Sequence, residues 1–556
     1  MYVVLTRTTR GITALRLDDA GSPLGEPEAV ADGDLPAFVG RLERERPRWV
    51  WDDSTRWYPA LLASGVRVER CVDLRLSHQI LRGSELTATS ALANAPLGPW
   101  DAATPLAEKP RLEGALFDFE PDPVADAPTD PLAEFALQRD AIAGAAEPGR
   151  IGLLLAAESA GGLIACEMKF AGLPVRAEVH ERLLAELLGE RPRGFERPSR
   201  LEALLDRMRT ILGTHDVNPD SPAELLKALR RSGLQVASTR SWELKELKHP
   251  VIEPLLEYKK LSRLQTANGW NWLDSWVADG RFRPDYVPGG AATGRWGASG
   301  GGALQLPKQV RGAVVADPGW KLVVADAAQL EPRVLSALSA DRRMAEAGRG
   351  DLYEGIVASG AVKTRAEAKV AMLGAMYGAT AGDGGRLMPA LTRAFPQAIA
   401  MVEQAARTGE RGGIVSTRLG RSSPLPGEVW RELQESAAVP GASEGLRGAA
   451  RSQSRGWGRF TRNFIVQGTA AEWALCWMAG LRGRLWDLGS GQLADRPHLV
   501  FFLHDEVIVH TPAELADSVV AELRSAASEA GRLIFGALPV DFPITTAVVD
   551  NYGQAK

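Results

Sequence analysis

The segment HLVFFLHDEVIVHT, residues 498–511, constrains the chain more than any other. Two apolar runs flank His504-Asp505-Glu506. The pattern predicts a β-hairpin whose tight turn holds the acids. A solvated turn is the common reading of such a segment taken alone. Acids between two strands this apolar are costly, however, unless something pairs with them, and a metal ion would do so.

A second segment ends in the same way. In LVVADAAQLEPRVLSALS, four apolar residues run into Asp326, as in a buried strand that ends on a carboxylate. A helix follows, with Pro332 tolerated in its first turn. A cap or turn role for Asp326 is as frequent as a chemical one. Two carboxylates from separate strands can hold two Mg²⁺ ions about 3.5–4 Å apart, the arrangement that drives in-line phosphoryl displacement.

Two further segments are cationic. In TRAEAKVAMLGAMYGA, Thr364 and Glu367 form a capping box, so a helix starts near Arg365, and Gly378 suits its end. Arg365, Lys369, Leu373 and Tyr377 recur every four residues on one broad face. The two cations sit at the positive end of the helix dipole, where triphosphate binding would use both charges. A solvated Arg/Lys face is the commoner occurrence of such a helix. In LRGAARSQSRGWGRFTRNFIVQGTAAE the series Arg447, Arg451, Arg455, Arg459, Asn463 and Gln467 also steps by four. Five steps drift by about 200°, and Gly456 and Gly458 predict a break. Only Arg459-Asn463-Gln467 reads as a coherent stripe of donors suited to phosphates and minor-groove base edges.

At 556 residues the chain has room for three or four domains. Net charge is −4, so any nucleic-acid contact must come from local positive charge. Cys71, Cys166 and Cys476 lie too far apart in sequence for a disulfide framework or a CxxC metal site, and they fit a reducing cytoplasm. MYVVLTRTTRG lacks a signal-peptide layout, and no run of about 18 apolar residues predicts a membrane span. Residues 1–85 alternate strands and helices. Residues 86–130 are Pro/Ala/Asp-rich, as in a linker or long loop, and the stretch from 131 to about 275 has helical periodicity. Strands are expected again in GAVVADPGWKLVVADAAQL, and GATAGDGGRL (378–387) reads as a turn.

Together these segments resemble the polymerase region of bacterial DNA polymerase I, the family A DNA polymerases. Asp326-Ala-Ala-Gln329-Leu-Glu331-Pro-Arg333 is similar to motif A, usually DYSQIELR. Arg365, Lys369, Leu373, Tyr377 and Gly378 are similar to motif B, and His504-Asp505-Glu506 to motif C. Arg459, Asn463, Gln467 and Gly468 resemble the helix that follows the primer–template minor groove. Thr293-Gly294-Arg295 resembles the family's TGR. The departures are Ala327 for the motif A Tyr, Leu373 for the motif B aromatic, and Tyr353 for a His between the two motifs.

The resemblance implies an α+β multidomain chain with a right-hand palm, fingers and thumb, behind an N-terminal α/β exonuclease-like (RNase H-like) domain. The implied division is 1–130 exonuclease-like and inactive, 131–275 thumb and palm entry, 276–345 palm with motif A, 346–440 fingers, and 441–556 palm with motif C. Asp326, Asp505 and Glu506 would hold two Mg²⁺ ions, or Mn²⁺. Arg365 and Lys369 would clamp phosphates, with Lys369 a proton donor to the departing pyrophosphate. Leu373, Tyr377, Gln329, Glu331 and Tyr353 would contact the nucleotide, Glu331 as a gate against the ribose 2′-OH. Arg295, Arg459, Asn463, Gln467 and His504 would contact DNA. The partners implied are primer–template DNA and dNTPs, for a monomeric cytoplasmic, nucleoid-associated enzyme of replication or repair. The N-terminal third lacks the exonuclease acids: Arg56 or Trp57, Phe135 and Arg139 stand at the expected ligand positions. Two alternatives are a weak paralogue that binds primer–template ends and a polymerase that retains 3′–5′ exonuclease activity.

Overall fold

The computed structural model describes residues 1–8, 11–102, 129–194, 196–214, 216–298, 306–378 and 382–555, without the side chains of Trp242, Gly382 and Asp383. Most of the expected linker therefore lies outside the described residues, as does part of the turn expected at 378–387, whose later residues open the helix Gly382–Ala394. The chain divides into two compact units.

The first unit comprises Met1–Phe170, Tyr286–Ser299 and Ala325–Thr546. It opens with a five-stranded sheet: β1 (Tyr2–Thr8), β2 (Gly11–Leu17), β3 (Glu28–Val30), β4 (Arg48–Trp51) and β5 (Cys71–Asp73). Their order is β3-β2-β1-β4-β5. β1 pairs antiparallel with β2 and parallel with β4. Successive side chains of β1 bury on opposite faces, Val3 and Leu5 with Trp49 and Trp51, and Val4 with Leu17 and Val50. Helices α1 (Leu35–Leu42), α2 (Ser54–Ala63) and α3 (Leu74–Gly83) supply side chains to these two cores. Asp53 and Asp73, at the ends of the parallel strands, cap α2 and α3 by accepting from the Thr55 and Leu76 amides.

Helix α4 (Pro148–Ala171) is long and apolar enough, by length and composition alone, to cross a membrane. In the structure 78% of its most apolar window is buried inside the protein. Its Glu167 is held by a buried network. Tyr58 donates to one carboxylate oxygen at 2.6 Å, Arg482 donates to both oxygens, and the Arg67 guanidinium lies 3.6 Å away. Burial pushes the Glu167 carboxyl up, but the Arg482 and Arg67 charges outweigh it and hold the group below the usual carboxylate range.

A second sheet carries the chemistry-bearing segments: β6 (Trp320–Ala327), β7 (His498–Leu503), β8 (Glu506–Pro512) and β9 (Ile544–Val549), in the order β7-β8-β6-β9. The other helices used below are α5 (Leu330–Ser339), α6 (Leu352–Ala358), α7 (Arg365–Tyr377), α8 (Pro396–Glu410), α9 (Glu428–Ala438) and α10 (Glu444–Leu488). Helix α10 runs unbroken for 45 residues, against the expected break at Gly456 and Gly458. The reason is packing. A Cβ on Gly458 would lie 2.9 Å from the Ala406 carbonyl and 2.6 Å from Glu410 Cγ. Glycine here lets two helices approach closely, and the neighbouring Thr461 hydroxyl donates to the Ala405 carbonyl at 2.8 Å.

The second unit comprises Ala171–Asp285, Gly300–Val324 and Ala547–Lys556. It is built on the amphipathic helices Ala177–Leu188, Ser199–Leu212, Pro222–Arg231 and Ile252–Asn268. The compact-unit boundary falls at Phe170/Ala171, so residues 131–170 go with the first unit rather than with the helical stretch after them. The strand expected in GAVVAD is reduced to isolated bridges of Val314 and Val315, after the short helix Lys308–Ala313.

The buried network gives a stability prediction. Arg482→Met leaves Glu167 charged and buried, and should lower unfolding free energy by about 3–5 kcal/mol. The double variant Glu167→Leu/Arg482→Met should recover much of that. Urea denaturation of the three proteins checks it, and a single-variant loss below about 1 kcal/mol would mean that the network behaves as a solvated surface pair.

Candidate active site

Two strand ends meet at the centre of the site. Asp326 is the penultimate residue of β6, and Asp505 lies in the two-residue turn between β7 and β8. The Ala327 amide donates to the Asp505 carbonyl at 2.9 Å, so the two acidic segments are joined through their backbones. Leu503 pairs with Glu506 across the turn, and His504 takes a positive φ of 59°. That conformation reverses an antiparallel pair in two residues. Desolvation and the Arg295 charge hold the His504 imidazole below its ordinary value, with Glu331 opposing. Among the described residues no group of three or more His, Cys, Asp or Glu side chains is placed to hold a metal ion. The expected trio of Asp326, Asp505 and Glu506 is therefore not gathered as one ligand set. Glu506 is 3% exposed as the first residue of β8, and consecutive side chains at a strand's start leave on opposite faces.

A buried guanidinium fixes the segment after Asp326. Arg333, 1% exposed, donates to the carbonyls of Ala328, Gly348, Gly350 and Asp541 and to Gln329 Oε1. Gln329, in the left-handed conformation, also accepts from the Leu352 amide at 2.9 Å. Its amide oxygen thus ties the start of α5 to α6.

Two side chains from other segments converge on Glu331, in the first turn of α5. Arg295 forms an ion pair with it, and the Tyr377 hydroxyl, from the end of α7, donates to it at 3.0 Å. Gln467 of α10 hydrogen-bonds the same hydroxyl. Burial and the Glu331 charge push the Tyr377 phenol up, which keeps it a donor at neutral pH.

Helix α7 begins as its sequence predicts, with Thr364 accepting from the Glu367 amide, and ends on Gly378 at φ 73°. Arg365, Lys369, Leu373 and Tyr377 all lie on its exposed face, the last two at 38% and 41% exposure. Arg365 is paired with Asp351 at 2.8 Å and lies over the ring of buried Tyr353. Tyr353 thus supports the cation from beneath. Arg459 of α10 packs so closely on Gly378 that a Cβ there would lie 2.8 Å from its Cγ. Asn463, one turn on, has a buried side-chain oxygen with no hydrogen-bond partner.

Sequence reasoning missed the loop that braces α10. Glu472 accepts from the Leu419 amide at 2.9 Å and from the Thr417 hydroxyl, and burial pushes its carboxyl up to about 7. Arg421 of the same loop pairs with buried Glu158 of α4 at 2.7 Å. The available signal was an acid set inside each of two otherwise apolar helical runs.

The model of DNA polymerase family A matches residues 196–554. The chain belongs to DNA polymerase family A. It is 27% identical over 332 residues to the thermostable DNA polymerase I of Thermus filiformis, a match covering 54% of this chain and 36% of that one. It is 26% identical over 398 residues to that of Thermus aquaticus, covering 64% and 43%. For DNA polymerase I of Mycobacterium bovis the figures are 26% over 336 residues, covering 55% and 33%. The matched region thus spans well under half the length of these relatives. A solved POL domain of Pol1 from M. smegmatis, in complex with DNA primer-template and dNTP, shares the fold. Its TM-score is 0.69 at 18% identity, over all of this chain and 95% of that one. Polymerases of this family use divalent metal ions. The strand-end carboxylates Asp326 and Asp505 offer the hard oxygen donors such ions take.

The Arg333 hub can be tested directly. Arg333→Met leaves four carbonyls short of a donor at about 1 kcal/mol each, and should cost at least about 3 kcal/mol of stability. Urea unfolding measures it, and an unchanged midpoint would mean that water replaces the guanidinium.

Proposed function

We propose that this chain is a template-directed DNA polymerase that adds dNTPs to a primer 3′-OH. The carrying observation is the join between Ala327 and Asp505, which sets two strand-end aspartates together in a family A fold. Asp326 and Asp505 would hold two Mg²⁺ ions, with Mn²⁺ an alternative. Bound there, such ions lower the pKa of the primer hydroxyl and neutralise triphosphate charge. The chain's own part is positioning. Lys369, exposed and without a recorded ion pair, is available to a phosphate and to give a proton to departing pyrophosphate. Arg365 must exchange Asp351 for phosphate or reach it while paired. Glu331, braced by Arg295 and Tyr377, stands as a rigid carboxylate where a ribose 2′-OH would project. Asn463 and Gln467 offer polar groups to base edges. Asp326→Ala and Asp505→Ala should each abolish primer extension while leaving duplex affinity nearly intact. Normal extension by either variant would refute the assignment.

The N-terminal sheet order, with three antiparallel and then two parallel strands, supports an exonuclease-like, RNase H-like reading of that region. Its acids are otherwise engaged. Asp52 accepts from the Trp57 indole and from Arg56, while Asp53 and Asp73 cap helices. Phe135 is buried against Tyr2, and Arg139 donates to the Asp19 carbonyl. The purified chain should leave a mismatched 3′ terminus intact without dNTPs. Metal-dependent trimming that survives Asp505→Ala would overturn this.

Sugar selection should be slack. Leu373 is shorter than the aromatic it replaces and is not planar, so the wall beside Glu331 is incomplete. Exclusion by contact alone supplies about 1–3 kcal/mol of discrimination, and a loose contact supplies less. The kcat/KM ratio for dNTP over rNTP should rise in Leu373→Phe and fall in Glu331→Ala. Ratios equal to wild type in both variants would remove these two residues from sugar selection.

A further inference from the structure

A cavity of about 390 Å³ opens between α5, the helix Arg342–Ala347 and residues 538–540, and none of the active-site residues described above lines it. Its size falls in the range of small-molecule sites, about 300–1,000 Å³. Its walls are largely apolar, with Leu538, Pro539 and Val540 on one side and Ala345 on another. Backbone sets their shape. Ala340, at a positive φ of 50°, turns the chain out of α5, and Asp341 caps the next helix by accepting from the Met344 amide at 3.2 Å. Polar groups lie at the two ends. Ser336 lines the cavity from the buried side at 2% exposure, and its hydroxyl has no hydrogen-bond partner. A buried hydroxyl in that state has given up water and received nothing in return. Arg342, Glu346 and Arg349 are exposed and form the mouth. Two cations face one acid there, and among the described residues none of the three has a recorded ion pair. Arg342 stands four residues before Glu346, the weaker order for a helical pair.

A ligand for this cavity needs three parts in order: a polar atom at the inner end, an apolar body, and a negative charge at the outer end. We propose that the cavity binds a small hydroxyaryl carboxylate, with its phenol on Ser336, its ring against Leu538–Val540 and its carboxylate on Arg342 and Arg349. A serine hydroxyl both donates and accepts, so a phenol satisfies it in either sense. Guanidinium groups match carboxylates in shape and charge. A ring suits the slot better than an alkyl chain, because a rigid body loses less freedom on entering. The three walls are also the segments that Arg333 ties together. From α5 it donates to the Gly348 carbonyl at 2.6 Å and to the Asp541 carbonyl at 3.0 Å, which adjoin the cavity residues Arg349 and Val540. A bound ring would brace the same three segments, and so the helix that carries Glu331.

The test is a saturation-transfer NMR titration of the full chain with para-hydroxyphenylpropionate, phenylpropionate and tyramine. Both carboxylates should bind saturably, and tyramine, a cation at a net-positive mouth, at least about tenfold more weakly. The phenol should bring para-hydroxyphenylpropionate about twofold to tenfold above phenylpropionate, as one net hydrogen bond does. Ser336→Ala should erase that gain and leave the phenylpropionate affinity as it was. Arg342→Gln/Arg349→Gln should weaken both carboxylates by about tenfold and keep the gain from the phenol. Leu538→Asp sets a charge of the ligand's own sign in the apolar wall and should abolish binding of both. Circular dichroism should show equal helix content in all four proteins. The carboxylates should raise the thermal midpoint of wild type and leave that of Leu538→Asp unmoved. No saturable binding of either carboxylate to wild type would overturn the proposal, as would tyramine binding equally well. Equal weakening of both carboxylates by Ser336→Ala would overturn it too, and so would binding that survives Leu538→Asp.

Discussion

The first unit is registered on one rigid object, helix α10. Forty-five residues of continuous helix amount to a rod about 68 Å long. Along it, Arg462 holds the last turn of α7 through the Ala375 carbonyl. Gln467 meets Tyr377, Glu472 fixes the loop at 417–421, and Arg482 reaches the N-terminal region through Tyr58, Val68 and Glu69. Each partner is placed by its distance along the same rod. A shift of one residue would rotate every contact by about 100° and break them together.

Much of the site is bonded to itself. Arg295, Glu331, Tyr377 and Gln467 bond one another, and Arg365 is matched to Asp351. A ligand that engages these side chains has to displace or share these bonds. Binding is therefore an exchange of hydrogen bonds more than the filling of an empty slot, and its net gain per bond is modest. Discrimination then depends on which ligand offers the better replacement set.

Much of this was legible in the amino-acid sequence, where local pattern and local structure coincide. The N-terminal strands followed period-two burial, the Thr364 cap and Gly378 bounded α7, and the hairpin turn fell on His504-Asp505. The failures share one cause, partners remote in sequence. Gly458 reads as a helix breaker until Ala406 is seen against it. The tie from Gln329 to the Leu352 amide, 23 residues on, has no local signal in the sequence.

The Arg482–Glu167 network has a consequence for how this chain can be shortened or evolve. Its charges are buried on both sides, with Tyr58, Arg67 and the Val68 and Glu69 carbonyls drawn from the N-terminal region. Deleting that region would strip a guanidinium and a carboxylate in the middle of the remaining core of half their partners. Whatever catalytic work the sheet does or does not perform, this network ties it into the fold. A domain of this kind can lose every reactive group and still not be dispensable.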